Sequence, residues 1–354
     1  MQKVRANIHL GNIRRNAQAF KSLTGVPLCA VVKANAYGHG AEETVGALSS
    51  VADTFAVALV EEGISIRQAS CGKDILIFTP PLTEEDVYLM ASNRFIASIP
   101  DMWTARLVSA VCRKYRLPIR VHLKINTGMN RYGMPLSRTD GVCKMLLKEP
   151  FVRVTGIYSH LYDQALPTAY EQRELFSKAA AVCRLYYPNA VAHLSATYGS
   201  LLGKDFAFGM VRVGLGLYGY LPQGLPEALQ QRANGLGLQK AMQVSAAVAA
   251  NRNFTFGGAG YGEPIQTNVP KALHSLRIGY ADGVLRKKEN GLLGVERQLR
   301  PTCMDVCVRR GKGKRGEWQT VLEDADEVAR QTGTVSYEVL CAATRRAEFI
   351  YDND

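Results

Sequence analysis

The sequence predicts an α/β protein, an N-terminal (β/α)8 TIM barrel with a C-terminal mainly-β domain. Three observations carry this expectation. Between residues 28 and 214 short apolar, β-rich runs alternate with segments of helical periodicity, which is the pattern of parallel pairing. Eight such runs occur, the strand count of a closed barrel, and no Gly-rich fingerprint of an open dinucleotide-binding sheet follows the first. After residue 235 the texture changes to alternating or β-branched runs between Gly-rich turns.

Taken in order, ANIHL (6–10) reads as a strand and GNIRRNAQAFKSL as a helix. Both precede the first barrel strand, so the opening strand is free to complete the sheet of the second domain. The barrel strands are then LCAVVK (28–33), FAVAL (55–59), ILIFT (75–79), FIASI (95–99), IRVHLKI (119–125), VRVTGIYS (152–159), AVAHLS (190–195) and MVRVG (210–214). Helical segments such as TEEDVYLMA, MWTARLVSAVCRKY and AYEQRELFSKAAAVCRLYY separate them. In the second domain MQVSAAVAANRNF, KALHSLRIGYADG and PTCMDVCVRR read as strands, with one helix candidate, EDADEVARQTG. The expected boundaries are 10–235 for the barrel and 236–354 for the β domain, with strand 1–9 contributing to the latter.

Composition narrows the function classes. No run of 18 apolar residues exists to span a membrane, and the first residues lack a signal-peptide core, so a cytoplasmic protein is expected. The net charge of +12 invites a nucleic-acid reading, but Lys and Arg are spread along the chain without a zinc-ligand or RNA-binding signature. The dense run RRGKGKRG (309–316) reads as a solvated hairpin loop. Eight cysteines form no C-x-x-C pair and several sit in apolar stretches, which suits reduced core thiols, and six scattered histidines give a metal site no support.

In a (β/α)8 barrel the active site lies at the C-terminal ends of the strands. Polar residues cluster there: Lys33 after strand 1, Lys124 and the Thr127–Arg131 loop after strand 5, His160 after strand 6, Ser195 and Thr197 after strand 7, Arg212 and Gly214-Leu215 at strand 8. Lys33 alone would pass for a strand-end lysine reaching into water; the cluster makes it a catalytic candidate. A lysine in a partly desolvated mouth forms Schiff bases with carbonyls, and the most general electron sink using one is pyridoxal phosphate. The phosphate needs backbone amides and hydroxyls in the loops after strands 7 and 8, where Thr197, Gly214 and Leu215 stand, with Tyr37 in reach from the strand 1 loop.

AVVKANAYGHG resembles the cofactor-lysine motif of alanine racemases, two-domain enzymes of the third pyridoxal-phosphate fold type. VHLKINTGMNRYG, GIYSHLYD, MVRVGLGLYG, GAGYGEP, RIGYADG and CMD follow in the family's order, over nearly the whole chain. The resemblance implies a pyridoxal 5'-phosphate enzyme interconverting L- and D-alanine, a homodimer with shared active sites that acts on a small amino acid and on neither nucleic acid nor membrane. Lys33 would hold the cofactor and be the base on the D face; Tyr261, from the partner subunit, would be the base on the L face. From GAGYGEP alone a turn tyrosine is the better reading of Tyr261, and the family match reverses it. Arg212 would face the pyridine nitrogen, the alternative being a salt bridge closing the barrel. His160 would support Arg212, or be a satisfied barrel histidine. Arg131 and the backbone of Met304, the latter again from the partner subunit, would bind the substrate carboxylate. Lys124 would be the family's often carbamylated lysine, or an ordinary salt-bridge lysine. Tyr280 would line the entrance, or be a core tyrosine.

The chain departs from the family pattern in three places. Ala196-Thr197 stands for the usual Asn-Ser, the β domain is trimmed, and Arg345 stands where a tyrosine normally touches the phosphate. Arg345 could pair with the phosphate or face the substrate side chain, which leaves a serine/alanine racemase as one alternative. The others are a decarboxylase of the same fold type, against which Arg212 and Tyr261 stand, and a non-catalytic single-barrel cofactor carrier, against which the second domain stands. The product's use, in cell-wall precursors or in catabolism, is open at this level.

Overall fold

In a computed structural model of the protein, residues 4–254, 257–258, 271–285, 298–299 and 302–353 are described. Tyr261 lies outside these residues. The chain divides into two units, one of Ile13–Ala34 and Ala41–Gln239, the other of Met1–Asn12, Asn35–Gly40 and Lys240–Asp354.

The chain opens with β1 (Val4–His9), which belongs to the second unit. The first unit carries eight parallel strands: β2 (Leu28–Val31), β3 (Thr54–Val57), β4 (Asp74–Ile77), β5 (Ile96–Ile99), β6 (Ile119–Lys124), β7 (Val152–Tyr158), β8 (Val191–His193) and β9 (Val211–Val213). They pair in the order β8-β7-β6-β5-β4-β3-β2-β9. Backbone bonds from Gly209 N–H to Ala192 O and from Arg212 N–H to Ser195 O, both 2.9 Å, bring the two ends of this sheet together in a nearly closed barrel. Strands such as Leu-Cys-Ala-Val of β2 and Ile-Ala-Ser-Ile of β5 are buried throughout, as expected where helices cover one face and the barrel interior the other. Each of the eight apolar runs read from the sequence is a strand.

The second unit is a mostly antiparallel sheet of β1, β10 (Met242–Phe254), β11 (Lys271–Leu276), β12 (Gln298–Leu299), β13 (Cys307–Arg310), β14 (Trp318–Leu322) and β15 (Glu348–Asp352). β1 alternates buried Val4, Ala6 and Ile8 with half-exposed residues, pairs antiparallel with β10 (Ile8 opposite Met242) and parallel with β15. Register shifts at Val244/Ser245 and Val248/Ala250 let the long β10 serve β1, β14 and β11 in turn.

Two features of this unit differ from the sequence reading. RRGKGKRG is not a hairpin loop: β13 pairs with β11 and β14 with β10, so the run connects two strands that are not partners. Its first arginine, Arg309, is buried, donating to Thr320 O at 2.8 Å and to Gln319 Oε1 at 3.3 Å. Besides the expected helix at Ala325–Thr332, capped by the Asp324 carboxylate and closed at Gly333 (φ +71°), a second helix forms at Ser336–Ala343. No described helix is long and apolar enough to cross a membrane.

Candidate active site

The strand β2 stops at Val31, Val32 N–H still bonds Ala56 O, and Lys33 opens an unusual turn. Ala34, Asn35, Ala36 and Tyr37 all take φ between 52° and 54°, and Gly38 takes 83°. This is a left-handed helical turn, which costs on the order of 1–2 kcal/mol for each residue with a Cβ. Strain of this kind survives only where surrounding bonds over-determine it, and it gathers at functional sites. Here the Glu62 carboxylate accepts from Ala34 N–H at 2.6 Å while also accepting from Ala58 and Leu59 N–H. Buried His39, kept neutral by a pKa that burial lowers to about 4, donates from Nδ1 toward the carbonyls of Ala36 (3.0 Å) and Tyr37 (3.1 Å). The Thr344 hydroxyl donates to Gly38 O at 3.0 Å, and a Cβ on Gly38 would strike Leu340 O at 2.4 Å. Half-buried Lys33 heads this turn.

Around the barrel axis the sequence candidates converge. Arg212, 2% exposed, donates to the carbonyls of His193 (2.9 Å), Ser159 (2.6 Å) and Leu194 (2.9 Å). Burial lowers its pKa to about 10, so it stays cationic at neutral pH. Its Nη2 lies 3.4 Å from His160 Nδ1, and its Nη1 donates to His193 Nδ1 at 2.8 Å. Lys124 is buried with its Nζ 4.4 Å from the centre of the Tyr158 ring, while Arg212 lies 5.3 Å from the same ring. Burial first, then the charges of Arg212 and Arg131, hold the Lys124 amine well below the ordinary lysine range. His160 is pushed well below its usual value by burial and by Arg212, Lys124, Arg131 and Lys33, so it is neutral. Arg131 is exposed and ends a loop shaped by Asn126, whose Oδ1 accepts from Gly128 N–H (3.0 Å) and Asn130 N–H (3.1 Å).

Thr197 meets the turn at Gly216, the residue after Gly214 and Leu215. The Thr197 hydroxyl accepts from Gly216 N–H at 3.1 Å, and a Cβ at Gly216 would lie 2.4 Å from the Phe20 ring and 3.0 Å from the Thr197 methyl. Ser195 does not join them; it donates to Phe206 O at 2.6 Å.

The second unit gathers the remaining candidates. Tyr280 N–H donates to Cys303 O and Ala281 N–H to Met304 O, so the GYAD and CMD turns lie back to back, and Gly279 has no room for a Cβ beside Met304 O (2.2 Å). Arg346 ties them, 2.8 Å from the carboxylates of both Asp282 and Asp305. Tyr280 is half-buried and Met304 is 53% exposed. Tyr37 is buried with its ring 5.8 Å from that of Tyr337, on the helix Ser336–Ala343, and Arg345 is exposed just beyond that helix.

Sequence reasoning missed four contributors: Glu62, Tyr158, His193 and His122. His193 Nε2 meets His122 Nδ1 at 2.9 Å, and its ring stacks on Tyr158 with centroids 5.0 Å apart. The signal was present in IRVHLKI, where His122 and Lys124 are two apart and therefore share the inward face.

The donor set suits pyridoxal phosphate. A lysine, a carbonyl-held arginine and the Thr197 hydroxyl beside the Gly216 amide supply an amine, a fixed cation and groups that suit a phosphate.

Comparison with known proteins agrees. The profile for the alanine racemase N-terminal domain matches residues 8–222 and that for the C-terminal domain residues 241–351. An alanine racemase of Synechocystis is 31% identical over 369 residues, covering 98% of each chain, and one of Methanococcus maripaludis is 29% identical over 373, again covering 98% of each. The structure of an alanine racemase of Clostridium difficile 630 superposes with a TM-score of 0.90 at 26% identity, over 100% of this chain and 97% of that one. The biosynthetic alanine racemase of Pseudomonas aeruginosa gives 0.86 at 27%, over 99% and 100%. With both domain profiles matched, the chain belongs to the alanine racemase family.

Proposed function

We propose that this chain is a pyridoxal 5'-phosphate-dependent alanine racemase. The observation that carries the reading is Arg212, a buried guanidinium held by three carbonyl oxygens where the family faces the pyridine nitrogen. A group that stays charged and does not hand over its proton limits delocalisation of negative charge into the ring, which suits reversible proton transfer better than transamination or decarboxylation.

When bound, the cofactor supplies the electron sink that lets the Cα–H bond of alanine ionise. Lys33 holds it and takes or returns the Cα proton on the D face; Tyr261 of the partner subunit does so on the L face, because inversion needs proton carriers on opposite faces. Thr197, the Gly214 and Leu215 amides and Tyr37 bind the phosphate. Arg131 and the Met304 backbone take the substrate carboxylate, and Tyr280 lines the entrance. His160 braces Arg212. Lys124, whose amine burial and two arginines hold well below the ordinary lysine range, gives up its proton more readily and so favours the form that adds carbon dioxide; the resulting carbamate would pair with Arg131. Arg345 neighbours Thr344, which bonds the residue after Tyr37, and this supports a phosphate role over contact with the substrate side chain. A homodimer with shared sites is part of the same reading, with Tyr261 and Met304 supplied by the partner subunit. A cytoplasmic enzyme feeding cell-wall precursors completes the reading.

The test is incubation of the cofactor-loaded protein with single L-amino acids in deuterated water. D-alanine carrying one deuterium at Cα is expected as the main product; release of carbon dioxide, or no turnover of alanine, would overturn the assignment.

A further inference from the structure

The long helix Leu166–Tyr186 turns one face inward, with Ala169, Phe176, Ala179, Ala180 and Cys183 buried, and among these apolar side chains sits Gln172, 2% exposed. A buried amide is costly unless its bonds are made. All its bonds go to the two loops that carry Arg131 and His160. Gln172 Nε2 donates to the Thr127 hydroxyl at 2.8 Å and to His160 O at 3.1 Å, and its Oε1 accepts from Tyr162 N–H at 3.1 Å.

The directions of these bonds are fixed. Ile125 O only accepts, so the Ser159 hydroxyl donates to it (2.8 Å). Ser159 Oγ therefore accepts from the Thr127 hydroxyl (2.8 Å), and Thr127 Oγ1 is left to accept from Gln172. The chain leaves one orientation for the amide. The loops also interlock by shape, since Gly128, at φ +133°, leaves its Cα under the Tyr162 ring, where a Cβ would come within 2.7 Å. Ser159, the hinge of this chain, is the residue whose carbonyl holds Arg212 at 2.6 Å.

We propose that Gln172, acting through Thr127, is a positioning residue that sets the Thr127–Arg131 loop against His160 and thereby fixes Arg131 for the substrate carboxylate. The inference rests on the reading of Arg131 given above. Misplacing a binding group by a fraction of an ångström to 1 Å costs about ten- to a hundredfold in kcat/KM. Because Arg131 binds a group that does not react, the loss falls mainly on KM.

The experiment compares Gln172→Met, Thr127→Val and the double variant with the parent, all as cofactor-loaded full chains, reading KM and kcat for L-alanine, the visible cofactor absorbance and Tm. Each single variant is expected to raise KM about tenfold with the cofactor absorbance unchanged. The double variant should cost no more than the worse single one, and Thr127→Ser, which keeps the hydroxyl, should restore KM. Unchanged KM in Thr127→Val and Gln172→Met, or a loss in Tm alone, overturns the proposal, as does strict additivity. If Gln172→Met does not fold, the Thr127→Val and Thr127→Ser pair reads the same bond and decides alone. Arg131→Ala separates the two ideas: unchanged KM there refutes the carboxylate reading, whereas a raised KM there with unchanged KM in the Thr127 and Gln172 variants refutes only the positioning role.

Discussion

Arg212 Nη1 lies 2.8 Å from His193 Nδ1, and this contact dictates the protonation of the barrel interior. A guanidinium only donates, so His193 must offer a lone pair at Nδ1. Its proton then sits on Nε2 and is donated to His122 Nδ1 at 2.9 Å, which places the His122 proton on Nε2 in turn. Burial holds His193 well below the usual histidine range and His122 at about 3, in keeping with two neutral rings.

Removing the acceptor should therefore cost both stability and rate. His193→Leu leaves one guanidinium hydrogen of Arg212 and the Nδ1 of His122 without their partner, at about 1–3 kcal/mol for each buried group. The expected result is a fall in urea midpoint and at least a tenfold loss in kcat/KM; unchanged values would mean that Arg212 is held by its carbonyl partners alone.

Acid should unfold this protein through its buried histidines. His39 and His122 have folded pKa values of about 4 and about 3, below the ordinary 6.5, with burial as the main cause. The unfolded chain therefore binds protons that the folded chain refuses as pH falls below 6.5, and stability is lost from there down to the folded values. Each withdraws roughly 1 kcal/mol per pH unit in that window. Urea unfolding between pH 7 and pH 5 should show the midpoint falling; a flat midpoint would mean the rings are hydrated.

Much of this was legible in the sequence because a barrel strand buried on both faces is a short apolar run whatever its neighbours. Residues at the C-terminal ends of those runs then share one rim, which is how Lys33, Lys124, Arg131, His160, Thr197 and Arg212 could be collected before any geometry was known. Glu62, Gln172 and His193 were not legible, because their roles depend on partners that only the fold brings near, Ala34 for Glu62, Thr127 for Gln172, and His122 and Arg212 for His193: Gln172, for one, occupies a position in a helical stripe that apolar periodicity assigns to the core. The left-handed turn after Lys33 was hidden for a related reason. Ala and Tyr do not announce positive φ, and bonds to Glu62, His39 and Thr344, distant in sequence or outside any apolar pattern, help to hold it there. The helix Ser336–Ala343 was missed because SYEVLCAA spans barely two turns and lacks a side-chain cap.

Arg345 should act on the cofactor phosphate. Arg345→Ala is expected to weaken cofactor binding by about tenfold, the worth of one charge-assisted bond, while the alanine to serine ratio of kcat/KM stays within about twofold. A shift in that ratio at constant cofactor affinity would move Arg345 to the substrate side.

Shared active sites predict complementation. A Lys33→Ala chain mixed with a Tyr261→Phe chain should regain activity, since heterodimers contain one site with both residues intact. Demonstrated subunit exchange with no return of activity would mean that each chain builds its site alone.

The central claim is that the half-buried lysine heading the left-handed turn carries the cofactor. Borohydride reduction of the cofactor-loaded protein, followed by peptide mapping, tests it most directly. The account predicts one stoichiometric pyridoxyl label on Lys33, lost in Lys33→Arg with the rest of the chain folded. A label on Lys124, on any other lysine, or on none would contradict it.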